Sequence, residues 1–215
     1  MKRKAKAPAR KRAYHHGDLK DQLVAAAEAI LLERGVEGFT LREAARRAGV
    51  SPAAPAHHFK DAKGLLAEVA LRAFKDFGDA LAAGDASGGG DPAARLLGQG
   101  LAYVKFAMAH PARFQLMFRH PIYDNDYPGL QDIGSRAFAV LEHAVRAAMG
   151  LNEGDAMTPD AFGFLLANWS IVHGFAHLAL GGEFDPAAAG HGGSKAILER
   201  FLPLMLKHLP LPVRK

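Results

Sequence analysis

His173 and His177 stand four residues apart in NWSIVHGFAH. That spacing puts two imidazoles on one face of a helix, where they could share a zinc ion. No Glu follows His173 in the HExxH manner and no nearby carboxylate is placed as a third ligand, so no metal site and no cofactor is expected. The chain has no cysteine, which excludes a disulfide scaffold, a thiolate metal site and a cysteine nucleophile. There is no GxSxG elbow, no P-loop and no GxGxxG after a strand, and none of the 11 histidines sits in a recognisable triad context. An enzyme is not expected, a His-dependent one being the remote alternative. What the side chains can do is pair with polyanions.

The net charge is +5 over 215 residues, and it is unevenly placed. Residues 1–60 hold 13 Lys and Arg against 6 Asp and Glu, a balance of +7, while the remainder holds 14 against 16, a balance of −2. A basic head on a slightly acidic body points to a polyanion such as double-stranded DNA. The basic excess is concentrated in residues 2–12, so a solvated charged tail is the plain alternative. No apolar run approaches the roughly 18 residues of a membrane span, and the basic N-terminus lacks the apolar stretch of a secretory signal. A cytoplasmic protein without a membrane partner is expected.

The elements that must position these charges are helices. Alanine and leucine recur at helical spacing, no stretch alternates with period two, and the chain reads as all-α. A first helix is predicted from an Asp18 N-cap to Arg34, with Leu19, Leu23, Ala26, Ala27 and Ile30 as its buried stripe. A second opens at Thr40 with a capping box completed by Glu43 and stops at Gly49. Ser51 is read as the N-cap of a third, with Pro52 at its first position and Pro55 still in its first turn. Two short helices joined by a glycine turn and packed on a longer one make a helix-turn-helix. Asp61 caps a fourth helix through Phe77 or beyond, and residues 84–92, GDASGGGDP, read as a glycine-rich loop. Helices follow over 92–109, 111–119, 128–149, 159–180 and 194–209, the last kinked at Pro203.

Residues 14–66, with YHHGDL, TLREAARRAGVSPAAP and HHFKDAKGLL, resemble the TetR family of transcriptional repressors. Trp169, His173 and Gly174 in NWSIVHG resemble the C-terminal domain type named for its Trp, His and Gly. The resemblance implies an N-terminal helix-turn-helix domain followed by a C-terminal helical bundle that binds ligand and dimerises. It divides the chain into a basic tail (1–13), a DNA-binding domain (14–62) and a ligand-binding and dimerisation domain (63–215). It also implies a homodimer that presents two recognition helices to a near-palindromic operator. Carried over by position, Ser51 to His58 form the recognition helix, where Ala53 and Ala54 could meet thymine methyls and His57 a phosphate or base edge. Thr40, Arg42 and Arg46 match positions facing the DNA backbone. His58, Lys60 and Lys63 complete the candidate set, and Phe59 is expected in the core. The family usually has tyrosine where this chain has Ala56 and lysine where it has Ala62, so two phosphate anchors are missing. The basic tail is expected to compensate for them.

The larger part would then be released from DNA by a small-molecule effector. Aromatic, methionine and histidine residues concentrate there, and Phe106, His110, Phe114, Met117, Phe118, Trp169, His173 and His177 are the pocket candidates. Leu165, Leu166, Leu198, Leu202 and Leu206, on the two last long helices, are candidates for the dimer surface. A ligand-blind basic DNA-binding dimer is the alternative reading.

Overall fold

The computed structural model describes residues 16–119, 121–191 and 193–207, so the basic segment 2–12 and the Tyr14-His15 pair lie outside the described residues. Among the described residues every regular element is helical. Helix α1 spans His16–Arg34, α2 Leu41–Arg47, α3 Ala56–Phe59, α4 Ala62–Ala86, α5 Pro92–Ala109 and α6 Pro111–Met117. Then come α7 Leu130–Met149, α8 Pro159–Leu180, α9 Asp185–Ala188, α10 Gly193–Ala196 and α11 Leu202–Lys207. A π-turn over Ile197–Phe201 joins the last two.

Two large apolar cores organise these helices, with a smaller third of Leu96, Ala144, Val145, Ala161 and Leu165 between α5, α7 and α8. The first gathers Leu23, Val24, Ala27 and Ile30 of α1, Ala44 of α2, Phe59 of α3 and the first half of α4. The second gathers Phe77 and Leu81 of α4 with α5, α6, α8 and α11. Helix α4 therefore serves both cores, and the expected boundary at residues 62–63 falls on its first turn. Its N-terminus is fixed as expected, with the Asp61 carboxylate accepting the Gly64 N–H at 3.0 Å.

Several local expectations need correction. Helix α1 is already formed at His16, so Asp18 lies inside it and not at its cap as expected. The capping box of α2 is half formed: Thr40 Oγ1 accepts the Glu43 N–H at 3.2 Å, but the Glu43 carboxylate turns to arginines instead of the Thr40 N–H. The third helix does not start at Ser51. Residues 52–55 form turns closed by three-residue bonds such as Ala54 N–H to Ser51 O (3.0 Å) and Ala56 N–H to Ala53 O (3.2 Å). The reason is Pro55: it stands where the first α-helical donor to Ser51 O should be, and it has no N–H. Only Ala56–Phe59 is α-helical.

The glycine-rich stretch is not a loop from its start, because α4 runs on to Ala86. A Cβ on Gly98 of α5 would overlap the carbonyl of Gly84 on α4, so these glycines allow two helix backbones to touch. Helix α6 ends at Met117 instead of Phe118–Arg119, α7 starts at Leu130, and α9 was not expected. The expected last helix is interrupted where Pro203 enters. Leu202 N–H reaches back five residues to Ile197 O, the wider turn that accommodates a proline ring.

Helix α8 differs from its sequence reading in two ways. By length and composition alone it could cross a membrane, with mean hydropathy 1.2 over an 18-residue window, although polar residues break every long apolar run. In the fold it packs on α5 and α7. Its Leu165 is buried in its own subunit, as are Leu202 and Leu206, so these three leave the expected dimer surface, while Leu166 is 40% exposed. The outward stripe is Phe162, Gly163, Leu166, Ala167, Ser170 and Leu178, centred about 150° of helix turn away from Leu165.

Candidate nucleic-acid interface and ligand cavity

The head presents its candidate contacts outward. Thr40, Arg42, Arg46, Ser51, Ala53, Ala56, His57, Lys60 and Lys63 are exposed, while Ala54 and His58 are half-buried. Phe59 is buried against α1 and α4, as expected, and holds the single turn of α3. Directly after it the chain reverses in a γ-turn: Asp61 N–H bonds to Phe59 O at 2.7 Å, and Lys60 takes φ 65°, ψ −60°. Lys60 is the one non-glycine residue with positive φ among the described residues. That backbone is strained for a side chain. It holds the Lys60 chain at the exposed end of α3.

The three arginines of α2 are not equivalent. Arg46 is held by a two-point bond to Glu43, Nε to Oε2 and Nη2 to Oε1, both 2.7 Å. Arg47 is mostly covered and bonds both Glu43 (3.0 Å) and Glu33 of α1 (2.6 and 2.8 Å), which clamps α2 onto α1. Hydrogen bonds from Arg46 and Arg47 hold the Glu43 carboxyl down to about 2, so it stays ionised at any physiological pH. Arg42, Lys60 and Lys63 have no side-chain partner among the described residues. Replacing Glu43 by Gln removes an exposed negative charge and releases Arg46, while Glu33 still holds Arg47. Affinity for a generic duplex at low salt is expected to rise about three- to tenfold, read by fluorescence anisotropy. An unchanged affinity contradicts this assignment of Glu43.

Charged bridges tie the head to the body. The Glu68 carboxylate of α4, 5% exposed, receives Lys20 of α1 (2.9 Å), Arg72 (3.0 Å) and the hydroxyl of Tyr127 before α7 (2.8 Å). Burial alone would raise the Glu68 carboxyl, but the bonds from Lys20, Tyr127 and Arg72 outweigh it and leave it below its ordinary 4.5. A depressed folded value means the stability it contributes is complete above pH 4.5 and is lost as pH falls through the folded value. A Glu68→Gln variant is therefore expected to be less stable by about 3 kcal/mol at neutral pH. That gap should close on acidification below 4.5, as followed by urea unfolding across the range; a pH-independent gap contradicts it. A second bridge runs through α6, where Arg113 bonds Glu28 of α1 (2.7 Å) and Asp76 of α4 (2.9 Å).

The body holds a half-open cavity of about 950 Å³ among α4, α5, α7 and α8. Of the eight expected pocket residues, Met117, Phe118 and Trp169 line it. Phe106, His110, Phe114, His173 and His177 do not; Phe106 packs on His110, and Phe114, His173 and His177 form an aromatic cluster behind its wall. There His173 Nδ1 meets the hydroxyl of Tyr103 at 2.7 Å, and its ring lies 4.7 Å from Phe118 and 4.5 Å from His177. Burial first, and His177 second, lower the His173 basicity, and the tautomer of its ring decides which of His173 and Tyr103 donates. His177 is exposed, and no group of three metal-ligating residues occurs among the described residues. Sequence reasoning missed the polar lining, Gln99 and Asn168, along with Tyr103 and Phe138. Gln99 and Asn168 sit one per helix among apolar residues, and a buried amide in an apolar stripe was the signal available.

The comparisons with known proteins cover both parts. Residues 23–69 match the description "Bacterial regulatory proteins, tetR family" and residues 96–201 match "Tetracyclin repressor-like, C-terminal domain". The second description carries no Trp-His-Gly qualifier. No curated protein matches the chain at a significant level. Among solved structures, a protein of unknown function from Rhodococcus sp. RHA1 is 30% identical, with TM-score 0.72 over 92% of this chain and 98% of that one. A transcriptional regulator from the same organism is 27% identical, with TM-score 0.59 over 87% and 93%. The TetR family transcriptional regulator PfmR from Thermus thermophilus shares the fold at 19% identity, with TM-score 0.64 over 89% and 97%.

Proposed function

The chain belongs to the TetR family of bacterial regulators, and from that premise we propose that it is a homodimeric repressor released from a near-palindromic operator by a small-molecule effector. The observation that carries this reading is the pairing of an exposed basic helix-turn-helix with a large, mostly apolar cavity in the same subunit, joined by α6. Met117 at the end of α6 and the adjoining Phe118 face the cavity, and Arg113 of the same helix grips α1 and α4. A ligand that displaces Met117 or Phe118 thus pushes on the helix that fixes the head. It acts as an effector to the extent that it binds the DNA-incompetent arrangement better.

The homodimer is supported by the outward face of α8. Phe162 and Leu178 are 49% and 47% exposed, and nothing lies within 4 Å of a Cβ built on Gly163 or Gly174. A second copy of the same helix fits such a face, with small residues letting the backbones approach and the large apolar ones covering the rim. A cytoplasmic location accords with a protein whose partner is chromosomal DNA.

The test is an inverted repeat in the DNA immediately upstream of this gene or its neighbour. As a labelled duplex it should bind one dimer and resist competition by a scrambled duplex of the same composition by orders of magnitude. Equal competition by the scrambled duplex favours the ligand-blind basic DNA-binding dimer and contradicts the repressor reading.

A further inference from the structure

We propose that the cavity selects an uncharged or cationic molecule with an aromatic or apolar body and an N–H or O–H donor, which the side-chain oxygens of Gln99 and Asn168 receive. The inference rests on reading the cavity as the effector site. It begins with two buried amides on the cavity wall. Gln99 is 3% exposed, and its Nε2 donates to Asp85 Oδ1 at 2.6 Å and to the Val140 carbonyl at 3.1 Å. Both partners can only accept, so the amide has one orientation. Its nitrogen is committed to the wall, and its Oε1 has no partner among the described residues. Asn168 is 9% exposed and repeats the arrangement: Nδ2 donates to the Phe164 carbonyl at 2.8 Å, and Oδ1 is left over.

The charged groups point the same way. Two arginines beside the wall are used up, and Arg136, between the lining residues Ser135 and Ala137, is exposed. Arg95 is paired at two points with Asp85 (2.8 and 3.0 Å), and Arg146 with Glu142 (2.8 and 2.9 Å). The lining itself carries Asp91 and Glu142, and its single cation is Lys207 at the exposed end of α11. A carboxylate held deep in this cavity would face amide oxygens with no buried cation to replace its water. Rings from Phe74, Phe77, Tyr103, Phe118, Phe138 and Trp169 supply an apolar body-binding surface, and their faces accept a cation as readily as a neutral ring. A donor on the ligand satisfies the two oxygens as the ligand displaces water from them, whereas a molecule of the same shape without one leaves them unpaired.

Three naphthalene probes that differ in one substituent test this by calorimetry on the full chain: 2-naphthol, 2-methoxynaphthalene and 2-naphthoate. The expected result is that 2-naphthol binds about tenfold more tightly than 2-methoxynaphthalene, and that 2-naphthoate binds more weakly still. Asn168→Leu should bring the first two within about twofold of each other. If that variant does not unfold cooperatively, the wild-type series decides alone. Gly134 lines the cavity and a Cβ there meets nothing within 4 Å, so Gly134→Trp should abolish binding of all three. Equal affinities, a preference for 2-naphthoate, no binding by any probe, or binding that survives Gly134→Trp each overturn the proposal. A separate arm measures release of operator DNA. If 2-naphthol binds with the expected preference yet leaves DNA bound, the cavity chemistry stands and the effector reading fails.

Discussion

Replacing Phe59 by alanine is expected to destabilise the protein by about 3–5 kcal/mol and to abolish specific DNA binding, the range for removing a fully buried phenyl ring. Helix α3 is a single turn of four residues, too short to hold itself together, so its position comes from what it packs on. Phe59 is 3% exposed and lies among Leu23, Ala27, Leu65 and Leu66, with Lys20 Nζ 6.0 Å over its ring. The backbone of Phe59 is held as closely as its ring. A Cβ on Gly64 would collide with the Phe59 carbonyl, so α4 starts in contact with the end of α3. Without the ring, the turn carrying His57, His58 and Lys60 loses its largest anchor and keeps only the buried Pro55 ring at its start among the described residues. Urea unfolding checks the stability term and operator binding the functional one. A loss under about 1 kcal/mol means that the γ-turn and Gly64 fix α3 by themselves.

Neutralising Arg42, Lys60 and Lys63 together is expected to cut operator affinity by two orders of magnitude or more at moderate salt, with little change in stability. All three are exposed and none is paired among the described residues, so their cost falls on DNA binding. Lys60→Gly is the suitable change at that position, since glycine accepts φ 65° without strain. Removing one cation from a phosphate reduces the slope of log affinity against log salt by roughly 0.9. Three cations per subunit thus remove about 3 from the slope for a monomer on DNA and about 5 for a dimer. A salt titration of the triple variant therefore reports two things: whether these residues meet phosphates, and how many subunits bring them. An unchanged slope contradicts the assigned face.

The sequence showed the fold more fully than the site. Long helices were legible because caps and apolar periodicity agree, as at Asp61 and Asp91, whose carboxylates do accept from the first turns of α4 and α5. Ser51 misled because a good N-cap residue followed by Pro52 ordinarily starts a helix, and the cost of Pro55 depends on counting which donor is missing. Residues 84–92 misled for the opposite reason. Glycine there answers to a helix crossing 14 residues away at Gly98, and no local reading contains that contact. The cavity was half legible. Composition marks the right helices, but the choice between Phe114 behind the wall and Phe118 on it is set by helix rotation, a tertiary property. Ala56 is exposed beside His57, and Ala62 is half-buried at the start of α4. Arg46, read only as a backbone contact, turns out to be restrained by Glu43.

The most direct test of a DNA-binding dimer that reads sequence through residues 51–60 is selection from a random duplex pool, followed by affinity measurement at physiological salt. The account predicts enrichment of an inverted repeat with half-sites about one helical turn apart, bound at least a thousandfold more tightly than its scrambled counterpart. Enrichment of no motif, with enriched and scrambled duplexes bound alike, would contradict it.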